Sequence, residues 1–244
     1  MIKIDIEKSF SEKLYIIMPA YNEEENIETV VQAWYIEAEK TGTEFRFLVV
    51  DDGSTDSTYS KLISMQEKHP FLRVKTKENG GHGAAILFGY QYAVNNGADF
   101  IFQTDSDGQT LPEEFGQFWK NREDFDVQIG FRKKRQDGFS RMIVTKILHL
   151  FLFVFFRIWT KDANTPFRLM TGESVSELLP KIPEDYRLTN VLFTVLYEKL
   201  NYKMRYVPIS FLPRQGGVNS INLGKIFKIG LGTIREFFTL RKDI

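Results

Sequence analysis

Short apolar runs alternate with longer amphipathic stretches over residues 14–130. The runs LYIIMP (14–19), FRFLVVDD (45–52), FLRVK (71–75), DFIFQTD (99–105) and FDVQIG (125–130) have the length and the β-branched or aromatic content of buried strands. Between them, residues 24–40, 57–68, 83–95 and 112–122 read as helices. Pro112 suits a first helical turn, and Glu113 and Glu114 follow where the helix dipole favours acids. This alternation predicts an α/β domain built on a mainly parallel sheet. In such sheets ligands bind beyond the carboxyl ends of the strands. The polar loops PAYNEEEN, DDGSTDST and TDSDGQ follow the first, second and fourth predicted strands, so they converge on one edge. That convergence predicts a site.

From residue 132 the pattern changes. A basic loop, RKKRQDGFSR, precedes MIVTKILHLFLFVFFRIW (142–159), whose unbroken apolar run at 150–156 is far shorter than the ~20 residues that span a bilayer. The segment predicts an amphipathic helix, packed on the domain or lying in a membrane interface. Residues 221–242 read the same way, with Lys225, Lys228, Arg235, Arg241 and Lys242 as the basic complement. The expected organisation is one domain over residues 1–220 and an amphipathic helix over 221–244, membrane-associated or packed on the domain, without repeats or low-complexity linkers.

Composition adds little until charge is divided along the chain. The 244 residues are 43% hydrophobic and 26% charged, as in a soluble globular protein. No cysteine is present, which excludes disulfides and thiolate metal sites and fits a reducing compartment. The first ten residues lack an apolar core, so no secretory signal is read there. The expected location is cytoplasmic, peripheral on the cytoplasmic face of the membrane, with no nucleic-acid partner. Net charge is zero, yet residues 1–130 carry 12 Lys and Arg against 23 Asp and Glu, and residues 131–244 carry 20 against 9. The segregation points to a cation in the first half and to phosphates or an anionic membrane in the second.

The chemistry begins at Asp105 and Asp107. Residues two apart in an extended segment point the same way. Both carboxylates can therefore face one divalent cation, with Gly108 permitting a tight turn and Gln109 adding a neutral oxygen. Hard oxygens suit Mg²⁺ or Mn²⁺, which would neutralise a leaving diphosphate. Asp51 and Asp52 end another strand, where a carboxylate can meet a nucleobase or ribose, while Ser54 to Ser57 suit turn and cap positions. NGGHGAA (79–85) is a glycine-rich approach to a helix, compatible with phosphate at a helix N-terminus. It is not a P-loop, because no G-K-[ST] follows. His82 is one of three histidines, and no histidine pair has metal-ligand spacing.

The motifs IIMPAYNEEENI, VVDDGSTDST, NGGHGAAILFGYQYA, TDSDGQTLPEEF, IGFR and DANTPFRLM, in this order, resemble family 2 glycosyltransferases over about residues 14–220. The chain looks most like the dolichyl- or polyprenyl-phosphate sugar synthase branch. The resemblance implies the nucleotide-sugar-binding GT-A fold, a UDP- or GDP-sugar donor, a divalent metal and inversion at the anomeric carbon. It implies that Pro19, Tyr21 and Glu23 line the nucleotide pocket with Asp52 on the base. It also implies that Asp105, Ser106, Asp107 and Gln109 meet metal and diphosphate, and that Arg132 faces the phosphates. Asp105, Asp107 and Arg132 would then be the residues at the reacting end. Arg141 and Arg168 become candidates for an anionic acceptor. PRQGGVN resembles the R-x-x-G-x-S loop that closes over a donor diphosphate, which brings in Arg214 and Gly217. Asn219 stands in place of the family serine, Ser220 in place of a frequent lysine, and Pro166 where many relatives have glycine.

The acceptor divides the readings. A sugar hydroxyl needs a general base near the reacting oxygen, whereas a lipid phosphate is already anionic. The lipid-phosphate branch is the first expectation. The alternative extends a glycan at a hydroxyl with Asp185, in PEDYRLTNVLF, as base. A non-catalytic sugar-nucleotide-binding protein is the further one.

Overall fold

The computed structural model describes residues 12–132, 139–183 and 186–212, with side chains between 139 and 145 left aside. Among the described residues, seven strands form one sheet in the order β3-β2-β1-β4-β6-β5-β7. They are β1 (Lys13–Ala20), β2 (Glu44–Asp51), β3 (Leu72–Thr76), β4 (Phe100–Gln103), β5 (Val127–Arg132), β6 (Arg168–Thr171) and β7 (Met204–Ile209). The helices are α1 (Ile27–Glu39), α2 (Thr58–Lys68), α3 (His82–Asn95), α4 (Phe115–Trp119), α5 (Phe139–Phe156), α6 (Gly172–Leu178) and α7 (Thr189–Lys199).

β1 is buried almost throughout because both faces of the sheet are covered, as parallel strands require. Leu14, Ile16 and Met18 enter one core with Val31 and Trp34 of α1 and Leu62 of α2. Tyr15 and Ile17 enter the other, with Ala85 and Tyr90 of α3 and Phe193 of α7. The alternation follows from the period-two strand. Aromatic residues fill the first core, where Trp34, Phe102, Phe115, Phe118 and Phe167 form a cluster with ring centroids 4.6–6.4 Å apart. The chain builds outward from β1 through β2 to β3, then returns to β4 on the other side of β1. β1 and β4 are parallel, and β4 ends at Gln103 opposite Ile17 while β1 runs on to Ala20. Between them the strand order reverses, the switch point where open α/β sheets bind ligands.

The expected mainly parallel sheet is found, and one expected helix is corrected. The sheet is parallel from β3 to β4 and between β5 and β7, but β6 runs antiparallel to both β4 and β5. The helix expected over 112–122 is broken into a 3-10 turn at Pro112–Glu114, the short α4, and a second 3-10 turn at Arg122–Asp124. The helix expected over 142–159 forms as α5. It buries Leu152 and Phe156 and leaves Ile147, Leu150, Phe153 and Val154 on the outside.

Candidate active site

The loops after β1 and β2 are bound into one platform by reciprocal hydrogen bonds. Asn22 holds a left-handed backbone, φ 52°, which asparagine tolerates. Its amide donates to Ser54 Oγ at 3.0 Å, and its Oδ1 accepts from the Thr55 amide at 2.8 Å. The Glu24 amide donates to Asp56 Oδ2 at 3.2 Å, while the Ser57 amide donates to Glu24 Oε2 at 3.0 Å. Between these rungs the Glu23 amide donates to Thr58 Oγ1 at 2.8 Å. Partial burial pushes the Asp56 carboxyl up, but hydrogen bonds from Thr58 and from the Glu24 amide outweigh it and hold the pKa below the usual range.

Asp52 organises the glycine-rich loop. Its Oδ1 accepts from Lys77 Nζ at 2.8 Å and from the Gly80 amide at 3.0 Å, and its Oδ2 accepts from the Gly81 amide at 2.7 Å. The carboxylate expected on the nucleobase thus also fixes the start of α3. That helix is also pinned from outside. A Cβ at Gly83 would lie 2.5 Å from the carbonyl oxygen of Tyr186 and 2.7 Å from that of Arg187, so only glycine allows this approach. Thr189 Oγ1 adds a hydrogen bond to the Gly83 carbonyl at 3.1 Å.

The loop after β4 carries the two aspartates. Gly108 turns it with φ 68°, the conformation glycine adopts without strain. The Gln109 amide donates to Asp107 Oδ1 at 3.1 Å, and the hydroxyls of Thr104 and Thr110 close the loop's neck at 3.2 Å. Asp105 differs from its neighbour. A quarter of its side chain is exposed, yet Oδ1 is sealed from solvent and has no hydrogen-bond partner. Burial, assisted by the Asp107 charge, pushes its carboxyl up to about 6 against the opposing pull of His82, Arg132 and Arg168. Among the described residues, the group in ion-pair reach is His82, the first residue of α3, with Nε2 3.6 Å from Asp105 Oδ1.

A sealed, unpartnered carboxylate oxygen beside a second carboxylate fits a divalent cation, and the hard oxygens suit Mg²⁺ or Mn²⁺. Among the described residues, no three His, Cys, Asp or Glu side chains already converge on one point. Any ion here would draw further ligands from substrate oxygens and water, as Mg²⁺ sites commonly do.

Arg132, at the end of β5, is oriented by Asp162. Its Nε and Nη2 donate to the two carboxylate oxygens at 2.9 and 3.1 Å, and its guanidinium lies 4.9 Å from the Phe211 ring centroid. The fork fixes the arginine and leaves Nη1 outside that pair. Just beyond Phe211, Leu212 exchanges two hydrogen bonds with Gln109: its amide donates to the Gln109 carbonyl, and Gln109 Nε2 donates to its carbonyl, both at 2.8 Å. The carboxamide oxygen of Gln109 is the atom left for a cation.

Arg168 requires a correction. It is fully buried and donates to the carbonyls of Thr165, Ala163 and Asn190 at 2.8–3.2 Å. Burial lowers its pKa. It braces the loop that carries Asp162 and is out of an acceptor's reach. Pro19 is buried within β1 opposite Val50, and Glu23 is buried with its carbonyl accepting from Asn26 and Ile27 to start α1. Tyr21 stands nearly half exposed at the strand end, and Ser106 is buried between the aspartates. The side chain of Arg141, and all of Asp185 and Arg214, lie outside the described residues. His82, Lys77 and Asp162 were missed as site residues. Proximity in the chain is no guide to them, although NGGHG supplied a signal for the first.

The chain that carries this sheet edge matches a known family. The sequence pattern of glycosyl transferase family 2 matches residues 15–178, well over half of the chain, and the chain belongs to that family. Its α/β architecture is the GT-A fold of nucleotide-sugar-dependent glycosyltransferases. Among solved structures it is similar to residues 1–349 of TarS from S. aureus, at 18% identity and a TM-score of 0.61, covering 92% of this chain and 65% of that one. It is also similar to glucosyl-3-phosphoglycerate synthase from Mycobacterium tuberculosis in complex with Mn²⁺, UDP-glucose and phosphoglyceric acid. There the identity is 16% and the TM-score 0.69, over 96% of this chain and 81% of that one. The same enzyme with Mn²⁺, UDP and phosphoglyceric acid gives a TM-score of 0.70 at 16% identity, over 96% and 80%. These likenesses are of fold.

Proposed function

We propose that this protein transfers a sugar from a UDP- or GDP-sugar to a polyprenyl phosphate at a membrane surface, with inversion and with a divalent cation. The observation that carries the lipid acceptor is the outer face of α5. Leu150 and Val154 are more than half exposed or close to it, at 57% and 50%, and Trp159 just beyond the helix is 77% exposed. Lys146, Arg157 and Lys161 accompany these apolar residues, the composition of a helix lying in an anionic interface. No helix among the described residues is long and apolar enough to cross a membrane. α5 follows Arg132, so the surface that would meet the lipid belongs to the chain segment that leaves the site.

The residues divide the work. The platform of Asn22, Glu24, Ser54 and Asp56 shapes the floor beside Tyr21, where a nucleoside would lie. The clamped start of α3 presents positive dipole to an anion. Asp105 and Asp107 would hold the cation with Gln109, and Arg132, fixed by Asp162, would face the donor phosphates. A divalent cation bound there neutralises the departing diphosphate. The acceptor phosphate oxygen attacks C1 in line as the bond to the diphosphate breaks, through an oxocarbenium-like state.

One observation favours the second reading, a glycan hydroxyl acceptor. The chain leaving Asp185 is packed on the start of α3 through Tyr186 and Arg187, one residue from His82. The two readings part at Asp185→Asn. The lipid-phosphate account expects transfer to a short polyprenyl phosphate to stay within about threefold of wild type. A fall of about 10²-fold or more, the usual worth of a general base, would favour the hydroxyl acceptor.

A further inference from the structure

We propose that His82 is itself a ligand of the cation, with Nε2 and Asp105 Oδ1 as adjacent donors. The inference rests on the metal-dependent reading above and deepens it by adding a nitrogen to the expected oxygen set.

The geometry comes first. A separation of 3.6 Å is too long for a hydrogen bond. It is close to the spacing of neighbouring donors in one coordination sphere, roughly 3.0–3.5 Å when each bond is about 2.0–2.2 Å. Asp105 Oδ1 is sealed and accepts no hydrogen bond, so a cation would meet an oxygen that no donor already occupies. The imidazole is about half exposed, which leaves room for an incoming ion and for substrate oxygens around it.

The backbone that carries His82 is held on two sides. Asp52 grips the amides of Gly80 and Gly81 immediately before it. Tyr186 and Arg187 press on Gly83 immediately after it. A ligand whose supporting elements are fixed in this way loses little freedom when it binds. Asp107 Oδ1 accepts from the Gln109 amide, so Asp107 is already oriented from its own loop. The nitrogen donor has a consequence for the choice of ion. Imidazole nitrogen suits first-row transition ions better than the hard Mg²⁺, so a nitrogen in an otherwise oxygen set should shift the preference from Mg²⁺ toward Mn²⁺.

The test uses the full chain, stripped of metal, with Mn²⁺ alone as probe. Free Mn²⁺ is followed by its electron paramagnetic resonance signal, and ¹⁴N coupling to bound Mn²⁺ by pulsed measurements. Wild type is expected to bind Mn²⁺ at least about tenfold more tightly than Mg²⁺ and to show imidazole ¹⁴N coupling. His82→Ala, at a half-exposed position, should weaken Mn²⁺ at least about tenfold, the effect ascribed to even outer ligands. It should also abolish the ¹⁴N signal; His82→Gln should leave the thermal midpoint unchanged without restoring that signal. Mn²⁺ bound by wild type without ¹⁴N coupling, or bound equally by His82→Ala, overturns the ligand assignment and leaves metal-dependent transfer standing. Sugar transfer by a wild type that takes up no Mn²⁺, alone or with UDP, overturns both.

Discussion

Asp56 shows how much of the site's framework is set by a single carboxylate. It accepts from the Thr58 amide at 2.9 Å and from the Glu24 amide at 3.2 Å, so one side chain starts α2 and ties two loops together. Its folded pKa is depressed, so its contribution is present above the unfolded value near 4 and is lost as pH falls through the lower folded value. Asp56→Ala should cost about 1 kcal/mol at pH 7, in the range of lost helix caps. The deficit should shrink below about pH 4, as measured by urea unfolding at several pH values. A deficit that grew on acidification would contradict the assignment. Other residues at this scale were legible to different degrees. Asp105 and Asp107 announce themselves as two like charges at the end of an apolar run. The partners of Asp52 do not, because its three donors come from a loop 25–29 residues later. Arg168 misled for a physical reason: a charged residue reads as surface unless its carbonyl partners are known, and those are supplied by three separate residues.

Among elements, β1, β2 and β4 could be read from the chain because each is a compact apolar run buried almost throughout, and the shorter β3 because its Leu72 and Val74 keep the period of a strand. β6 could not. It has four residues and begins with the buried Arg168, so neither length nor period marks it. α5 was legible as amphipathic, but periodicity alone left open which face would be covered. In the structure both faces are apolar, Leu152 and Phe156 inward and Leu150 and Val154 outward. If the outer face meets lipid, replacing Leu150 and Val154 together by Asp should leave the thermal midpoint within a few degrees of wild type. Sedimentation with anionic liposomes should fall at least about tenfold, since a charge at an apolar interface carries a large transfer penalty. Unchanged sedimentation with an unchanged midpoint would remove α5 from the membrane account.

For the whole molecule, the reversal of strand order between β1 and β4 explains why four loops distant in sequence share one edge. The charge segregation follows the same division. The acidic first half contributes both aspartates, while the second supplies Arg132 and the basic residues around α5. The alternation of strands and helices made the parallel half of the sheet and its functional edge readable. The insertion of β6 between β4 and β5 was not readable, because antiparallel pairing depends on long-range register. The most direct measurement is transfer of labelled sugar from a panel of UDP- and GDP-sugars to a short polyprenyl phosphate with Mn²⁺, comparing wild type with Asp107→Asn. One donor should give a labelled lipid-linked sugar, and the variant, still folded, should lose at least about 10²-fold in rate, as expected for removal of charge stabilisation at the leaving group. No transfer from any donor, or transfer that survives Asp107→Asn undiminished, would contradict the account.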